Sequence, residues 1–247
     1  MKLGKLPARA NSVTFRLRDY LAVSVLPTPP TTAGHQSLVA DWQMLGNDQY
    51  GDCVWAGAAH ETMLWNEEAS HLVMFTETAV LSDYSAVTGF NPSDPSSDKG
   101  TDMQVAASYR RKTGVLDGSN MRHQVAAYLA ITPGNREELK QAIYLFGAVG
   151  VGIEFPASAM SQFNAGKPWT VVSGSKIEGG HYIPACGYDG SYVYIVTWGK
   201  LIKMSWGFFG KYCDEAIAYV SAEMLTAGKS LEGFNVSQLQ ADLAQLN

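Results

Sequence analysis

Asn47-Asp48-Gln49-Tyr50-Gly51-Asp52-Cys53-Val54-Trp55-Ala56 is the stretch on which the reading of this chain turns. Its first six residues are a cluster of turn formers. A helical pattern starts at once from Cys53 and runs to about residue 69, with Val54, Ala58, Met63 and Trp65 near helical spacing and Asp52 as the N-cap candidate. Cys53 therefore stands at a helix N-terminus, where the dipole and free N–H donors favour thiolate, the nucleophilic form. Gly51 lets the chain approach closely, which suits a substrate carbonyl docking against backbone amides. The competing reading of any lone cysteine is a small buried hydrophobe.

A thiolate nucleophile needs a base, and five histidines are available. His60 lies two turns along the Cys53 helix, about 10 Å up its axis, and cannot reach the thiol. His35, His71 and His123 have no special flanks and read as ordinary surface or core histidines. His181 differs: it follows Gly179-Gly180 and opens an apolar strand, 128 residues after Cys53.

Outward from these two residues, the first half of the chain reads as helical and the second as strands. Helices are expected over residues 76–89, 101–113 and 135–146, with Glu77, Thr101 or Asp102, and Glu137-Glu138 at their starts. Strands are expected over 148–155, 180–188, 191–197, 201–206 and 216–220. Such segregation is α+β rather than alternating βαβ. Residues 1–41 carry Pro27, Pro29 and Pro30 and read as an extended arm over the surface of the main body. Residues 222–247 read as a tail whose positions 237–246 form a short amphipathic helix.

Composition excludes several classes. With 17% charged and 46% hydrophobic residues the chain can bury a core. A net charge of −5 gives no footprint for nucleic acid. No apolar run is long enough to span a bilayer, and the N-terminus lacks the apolar region of a signal peptide, so a cytoplasmic, host-cell or virion location is expected. Cys53, Cys186 and Cys213 form neither a disulfide framework nor a CxxC metal pair. Cys186, opposite His181 on a regular strand, reads as a buried structural thiol. No metal ligand cluster or cofactor motif is present.

A nucleophilic cysteine with a histidine some 130 residues downstream matches the papain arrangement. The chain resembles the papain-like cysteine peptidases over most of residues 42–221. Asn47 stands where the family has an amide six residues before the nucleophile, and Trp55 lies one place later than the family's tryptophan. Residues 138–154 resemble the family's helix–strand unit, Gly180-His181 with Gly187-Tyr188-Asp189 its histidine strand, and Thr197-Trp198-Gly199 its Asn-Ser-Trp-Gly motif. The divergent phage and bacterial branch is the more similar one.

The resemblance implies a two-lobed α+β fold, with a helical lobe over about 42–146, a sheet lobe over about 147–221 and the site between them. It implies a peptide or protein substrate, no cofactor, Cys53 as nucleophile, His181 as base, and Asn47 as oxyanion donor with Gln49 as a second candidate. The third catalytic residue stays open. An ungapped count from His181 puts the family's asparagine on Thr197; matching the Trp-Gly words puts it on Val196, which leaves a Cys53–His181 dyad. Tyr50 replaces the family's half-cystine, so its disulfides do not carry over. The alternative function is a non-catalytic papain-fold module of a phage particle or similar assembly.

Overall fold

The computed structural model describes residues 1–9, 15–21, 28–223 and 241. The expected tail helix over 237–246 lies, except for residue 241, outside them. In chain order the elements are α1 (Leu17–Leu21), β1 (Ala33–Gly34), α2 (Cys53–Glu68), α3 (Glu77–Thr88), α4 (Met103–Lys112), β2 (Val115–Leu116), β3 (Arg122–His123), β4 (Val125–Ile131) and α5 (Arg136–Phe146). There follow β5 (Val149–Pro156), α6 (Ala157–Asn164), β6 (Ile177–Tyr188), β7 (Tyr192–Thr197), β8 (Lys200–Ser205), α7 (Trp206–Tyr212) and β9 (Cys213–Ser221).

Helix starts follow local chemistry. The Thr76 hydroxyl accepts the Ala79 amide, Asp102 accepts those of Gln104 and Val105, and Asn135 those of Glu137 and Glu138. Asp52 occupies the N-cap position of α2, but its side chain makes no capping bond. Its backbone (φ −94°, ψ 16°) is not extended as at the three residues that do cap, and its Oδ1 instead accepts Asn47 Nδ2 at 3.1 Å.

The main sheet has the order β4-β9-β5-β6-β7-β8, with β1 added alongside β6, and its strand pairs are antiparallel. β5 is buried at seven of its eight residues, which is why its sequence is nearly continuous apolar. One core lies between the sheet and α5–α7, around Leu139, Ile143, Ile153, Phe155, Trp169 and Phe208. A second lies around α2, with Trp55, Leu64, Trp65, Tyr84, Ala106 and Tyr182.

One grouping of elements differs from the sequence reading. The helical lobe does not run to 146. β4 pairs with β9, and α5 packs its Leu139–Ile143–Phe146 face into the sheet-lobe core. The alternating burial of β4 is a period-two pattern too short to stand out beside the following helix. The described residues of the expected arm over 1–41 pack on the body. Leu17 is fully buried in the sheet-lobe core, β1 extends the sheet, and the first residues enter the space between the lobes.

Candidate active site

Cys53 is the first residue of α2 and is 2% exposed. His181 lies on β6 opposite Ile153 and is fully buried. Thr197 ends β7, and its Oγ1 lies 2.8 Å from His181 Nε2. The other ring nitrogen, Nδ1, is buried and has no hydrogen-bond partner among the described residues. The backbone of Tyr182, which follows His181, and that of Gly4 lie close enough to the Cys53 thiol to favour its charged form. The fold therefore brings the α2 N-terminus against the strand that carries His181.

Between β7 and β8, Thr197 pairs with Lys200 across a two-residue turn, Trp198-Gly199. Both residues have positive φ, 46° and 68°, as a type I′ hairpin turn requires. This turn presents the Trp198 indole to the His181 ring, with centroids 4.5 Å apart and planes at 18°. Phe155 meets the imidazole edge-on at 5.7 Å. Val196, the other position considered for the third residue, is buried in the helical-lobe core.

Asn47 is buried, and its Nδ2 donates to Tyr50 O at 3.2 Å and to Asp52 Oδ1 at 3.1 Å. Both amide hydrogens are thus engaged, and an oxyanion would have to displace one partner. Gln49 is exposed on the same turn. Burial pushes the Asp52 carboxyl well above the usual carboxylate range, with the Asn47 bond opposing.

The cleft is filled by the chain itself. Lys2 N–H donates to Asn47 O at 3.1 Å, Thr101 N–H to Gly4 O at 2.7 Å, Lys5 N–H to Gly180 O at 3.1 Å and Leu6 N–H to Thr101 O at 3.0 Å. Residues 2–6 therefore run as a segment between the Thr101 loop and β6, with Lys5 bridged to both. Backbone-to-backbone approach is close enough that a Cβ at Gly100 would collide with the Gly4 carbonyl, and one at Gly180 with the Lys5 carbonyl.

This covering sets the electrostatics. Burial pushes the Cys53 thiol up to about 12, with the Tyr182 and Gly4 backbone opposing. Burial also pulls His181 down to about 3. The lowered thiol expected from the helix dipole is therefore not what the filled cleft shows: desolvation outweighs the dipole. In this state the pair is neutral thiol and neutral imidazole.

The remaining cysteines and histidines have other partners. Cys186 is buried in the helical-lobe core, its Sγ 3.5 Å from Tyr194 O. His35 faces Glu68 at 3.0 Å, His60 Nε2 faces Gln43 O at 3.0 Å, and His123 sits between Glu223 and Asp117. Among the described residues no group of three or more His, Cys, Asp or Glu could hold a metal ion, and no helix is long and apolar enough to cross a membrane.

Sequence reasoning missed residues 2–6, Thr101 and the Gly180 carbonyl as parts of the cleft. The available signal was Gly4 between Leu3 and Lys5, since a glycine in an otherwise extended apolar segment marks close backbone approach.

No protein-family model and no curated protein matches the sequence. Solved structures do match. Xylellain, a cysteine protease from Xylella fastidiosa, superposes with a TM-score of 0.65 at 13% identity, over 89% of this chain and 96% of that one. Digestive procathepsin L 3 of Tenebrio molitor larval midgut gives 0.62 at 16% identity, over 87% and 75%. The Carica candamarcensis cysteine protease CMS1MS2 gives 0.57 at 14%, over 77% and 98%. The fold of this chain is the papain-like α+β fold.

Proposed function

We propose that the protein is a papain-like cysteine peptidase, hydrolysing an amide or peptide bond with Cys53 as nucleophile and His181 as base. The observation that carries this reading is the state of the His181 ring. One nitrogen is held by Thr197, one face is covered by Trp198, and the second nitrogen is left open beside the strand that meets Cys53. An unpaired buried ring nitrogen is costly; His60 Nδ1 shares that state, but of the two only His181 lies on the strand packed against the α2 N-terminus and beneath the Trp198 indole.

With Nε2 carrying the hydrogen to Thr197 Oγ1, Nδ1 is a lone-pair base. It takes the Cys53 proton, and the thiolate attacks the substrate carbonyl carbon. The resulting imidazolium returns the proton to the leaving amine as the C–N bond breaks. Water, deprotonated by the same nitrogen, then attacks the thioester and releases the acid and the thiol. The oxyanion is held by the Cys53 backbone N–H and by Asn47 Nδ2, which exchanges its bond to the Asp52 carboxyl for the stronger charged acceptor. Thr197 and Trp198 are positioning residues.

Residues 2–6 must leave the cleft before any substrate enters. A non-catalytic module is favoured by one observation, the engagement of both Asn47 hydrogens. The test is hydrolysis of a casein or mixed-peptide substrate by the full chain and by Gly4→Val, whose side chain would collide with the Gly51 carbonyl and expel the segment. Thiol-dependent turnover in Gly4→Val that Cys53→Ala and His181→Ala each abolish supports the peptidase. Absence of turnover in a folded Gly4→Val protein refutes it.

A further inference from the structure

The residue that the cleft holds most completely is a lysine. Lys5 is 4% exposed over the whole residue, and its side chain is fully covered. Its Nζ donates to Asp214 Oδ2 at 2.7 Å and to Leu6 O at 3.0 Å. The methylene stem lies over Gly152 of β5 beside the Met103 sulfur, and a Cβ at Gly152 would occupy the space the stem takes. Asp214 Oδ1 is buried with no hydrogen-bond partner among the described residues. Glu215 stands next along β9 and accepts Gln104 Nε2 at 2.7 Å. The walls of this recess belong to both lobes, Met103 and Gln104 from α4, Gly152 from β5 and Asp214 from β9.

We propose that this recess is the specificity pocket of the cleft, and that it selects substrates carrying a basic side chain through Asp214. The inference rests on the peptidase reading above and names its substrate class. The backbone of any extended ligand is gripped by groups common to all sequences, Thr101 N–H and C=O and Gly180 C=O, so it carries no selectivity. Selectivity must come from side-chain recesses, and the one seen filled combines an apolar sleeve with a carboxylate at its end. An uncharged side chain of the same length would leave the Asp214 carboxylate, 22% exposed, without its ion pair, which is the stronger source of discrimination. Residues 2–6 are then held in place by the same lysine preference that serves the substrate.

Binding is read without turnover by fluorescence anisotropy of a labelled Leu-Gly-Lys-Leu-Pro peptide, copying residues 3–7, and of its twin with norleucine for lysine. The host is the full chain carrying Lys5→Glu, which sets like charges against Asp214 and Glu215 and releases the segment. Gly4→Val is the second host should Lys5→Glu fail to fold. The lysine peptide is expected to bind about tenfold or more tighter, and the difference should vanish when Asp214→Asn is added. Equal binding of the twins, no binding of either, or a lysine preference that survives Asp214→Asn overturns the proposal. A peptide mixture with lysine at varied positions separates the two readings. Lysine selected but never cleaved sinks the peptidase and leaves the pocket, whereas cleavage indifferent to lysine sinks the pocket and leaves the peptidase.

Discussion

Trp198 lies nearly parallel to the His181 imidazole, with ring centroids 4.5 Å apart and an interplanar angle of 18°. The stack fixes the ring plane and keeps water from one face of the histidine. It depends on a tight turn in which Trp198 adopts φ 46°, a conformation that a bulky residue rarely takes. The compensation is burial: Trp198 is 1% exposed and meets Phe155, Phe163 and Trp169 edge-on or tilted.

Trp198→Ala should therefore destabilise the protein by about 3–5 kcal/mol, the usual cost of emptying a large aromatic site. Urea unfolding of wild type and variant measures it. Trp198→Phe, which keeps an aromatic face over the ring, should recover most of the loss.

Thr197→Val keeps the shape and removes the hydroxyl that His181 Nε2 meets at 2.8 Å. The expected loss is one net hydrogen bond, roughly 1–2 kcal/mol, or about 5–30-fold in kcat/KM. Thr197→Ser should stay close to wild type. Steady-state kinetics of the segment-released Gly4→Val protein with and without Thr197→Val reads the effect, and an unchanged rate would leave Cys53 and His181 as a dyad.

Two histidines buried neutral each contribute a loss of stability on acidification, against the opposite contribution of buried carboxyls such as Asp52 and Glu68. Burial pulls His60 down to about 4 and His181 down to about 3. Their folded values lie below the unfolded value of about 6.5, so the unfolded chain binds protons first. The stability these groups confer is complete above that value and is lost as pH falls through the two folded values. Thermal melts of wild type and His60→Gln between about pH 7 and 4 isolate the His60 part: the variant's Tm should gain on that of wild type as pH falls.

Behind the cleft, Arg110 Nη1 donates to Glu61 Oε2 at 2.6 Å, Tyr182 Oη donates to Glu61 Oε1 at 2.7 Å, and the guanidinium lies 3.9 Å from the Tyr219 ring centroid. The pair ties α2 and α4 to β6 and β9. Arg110→Met leaves the buried Glu61 without its cation, with only the Tyr182 hydroxyl as partner, and should cost about 3–5 kcal/mol, whereas the added Glu61→Met should restore part of it. Chemical denaturation of the single and double variants checks this.

The α+β arrangement was legible because the helices announce themselves. Thr76, Asp102 and Asn135 stand ahead of apolar-periodic runs, and the runs at 149–156 and 192–197 are too apolar for anything but buried strands. Cys53 and His181 stand out in the sequence through their glycine-rich flanks and their spacing, and the fold packs the α2 N-terminus against the strand that carries His181. The strand at 125–131 was not, since seven residues of mixed alanine and apolar character fit a helix as well as a strand until β9 supplies its partner. Asp52 stands at the N-cap as its sequence context suggests, but its missing capping bond was not legible, since its Asn47 partner, five residues back, is set by the fold of the turn. The lysine recess was invisible: Lys5 and Asp214 are 209 residues apart, and only the closed cleft brings them together.

The most direct test of a nucleophilic Cys53 is its iodoacetamide alkylation rate against pH, mapped by mass spectrometry with Cys186 and Cys213 as internal references. In the full wild-type chain Cys53 should stay nearly unlabelled near neutrality and react only as pH climbs toward the about 12 that burial imposes. In Gly4→Val, with the cleft open to water and His181 free to take the proton, Cys53 should alkylate at about pH 6 faster than either reference thiol. Adding His181→Ala should remove that low-pH reactivity. Cys53 labelling no faster than Cys186 in the open variant, or low-pH labelling indifferent to His181→Ala, would contradict the assignment of these two residues as nucleophile and base.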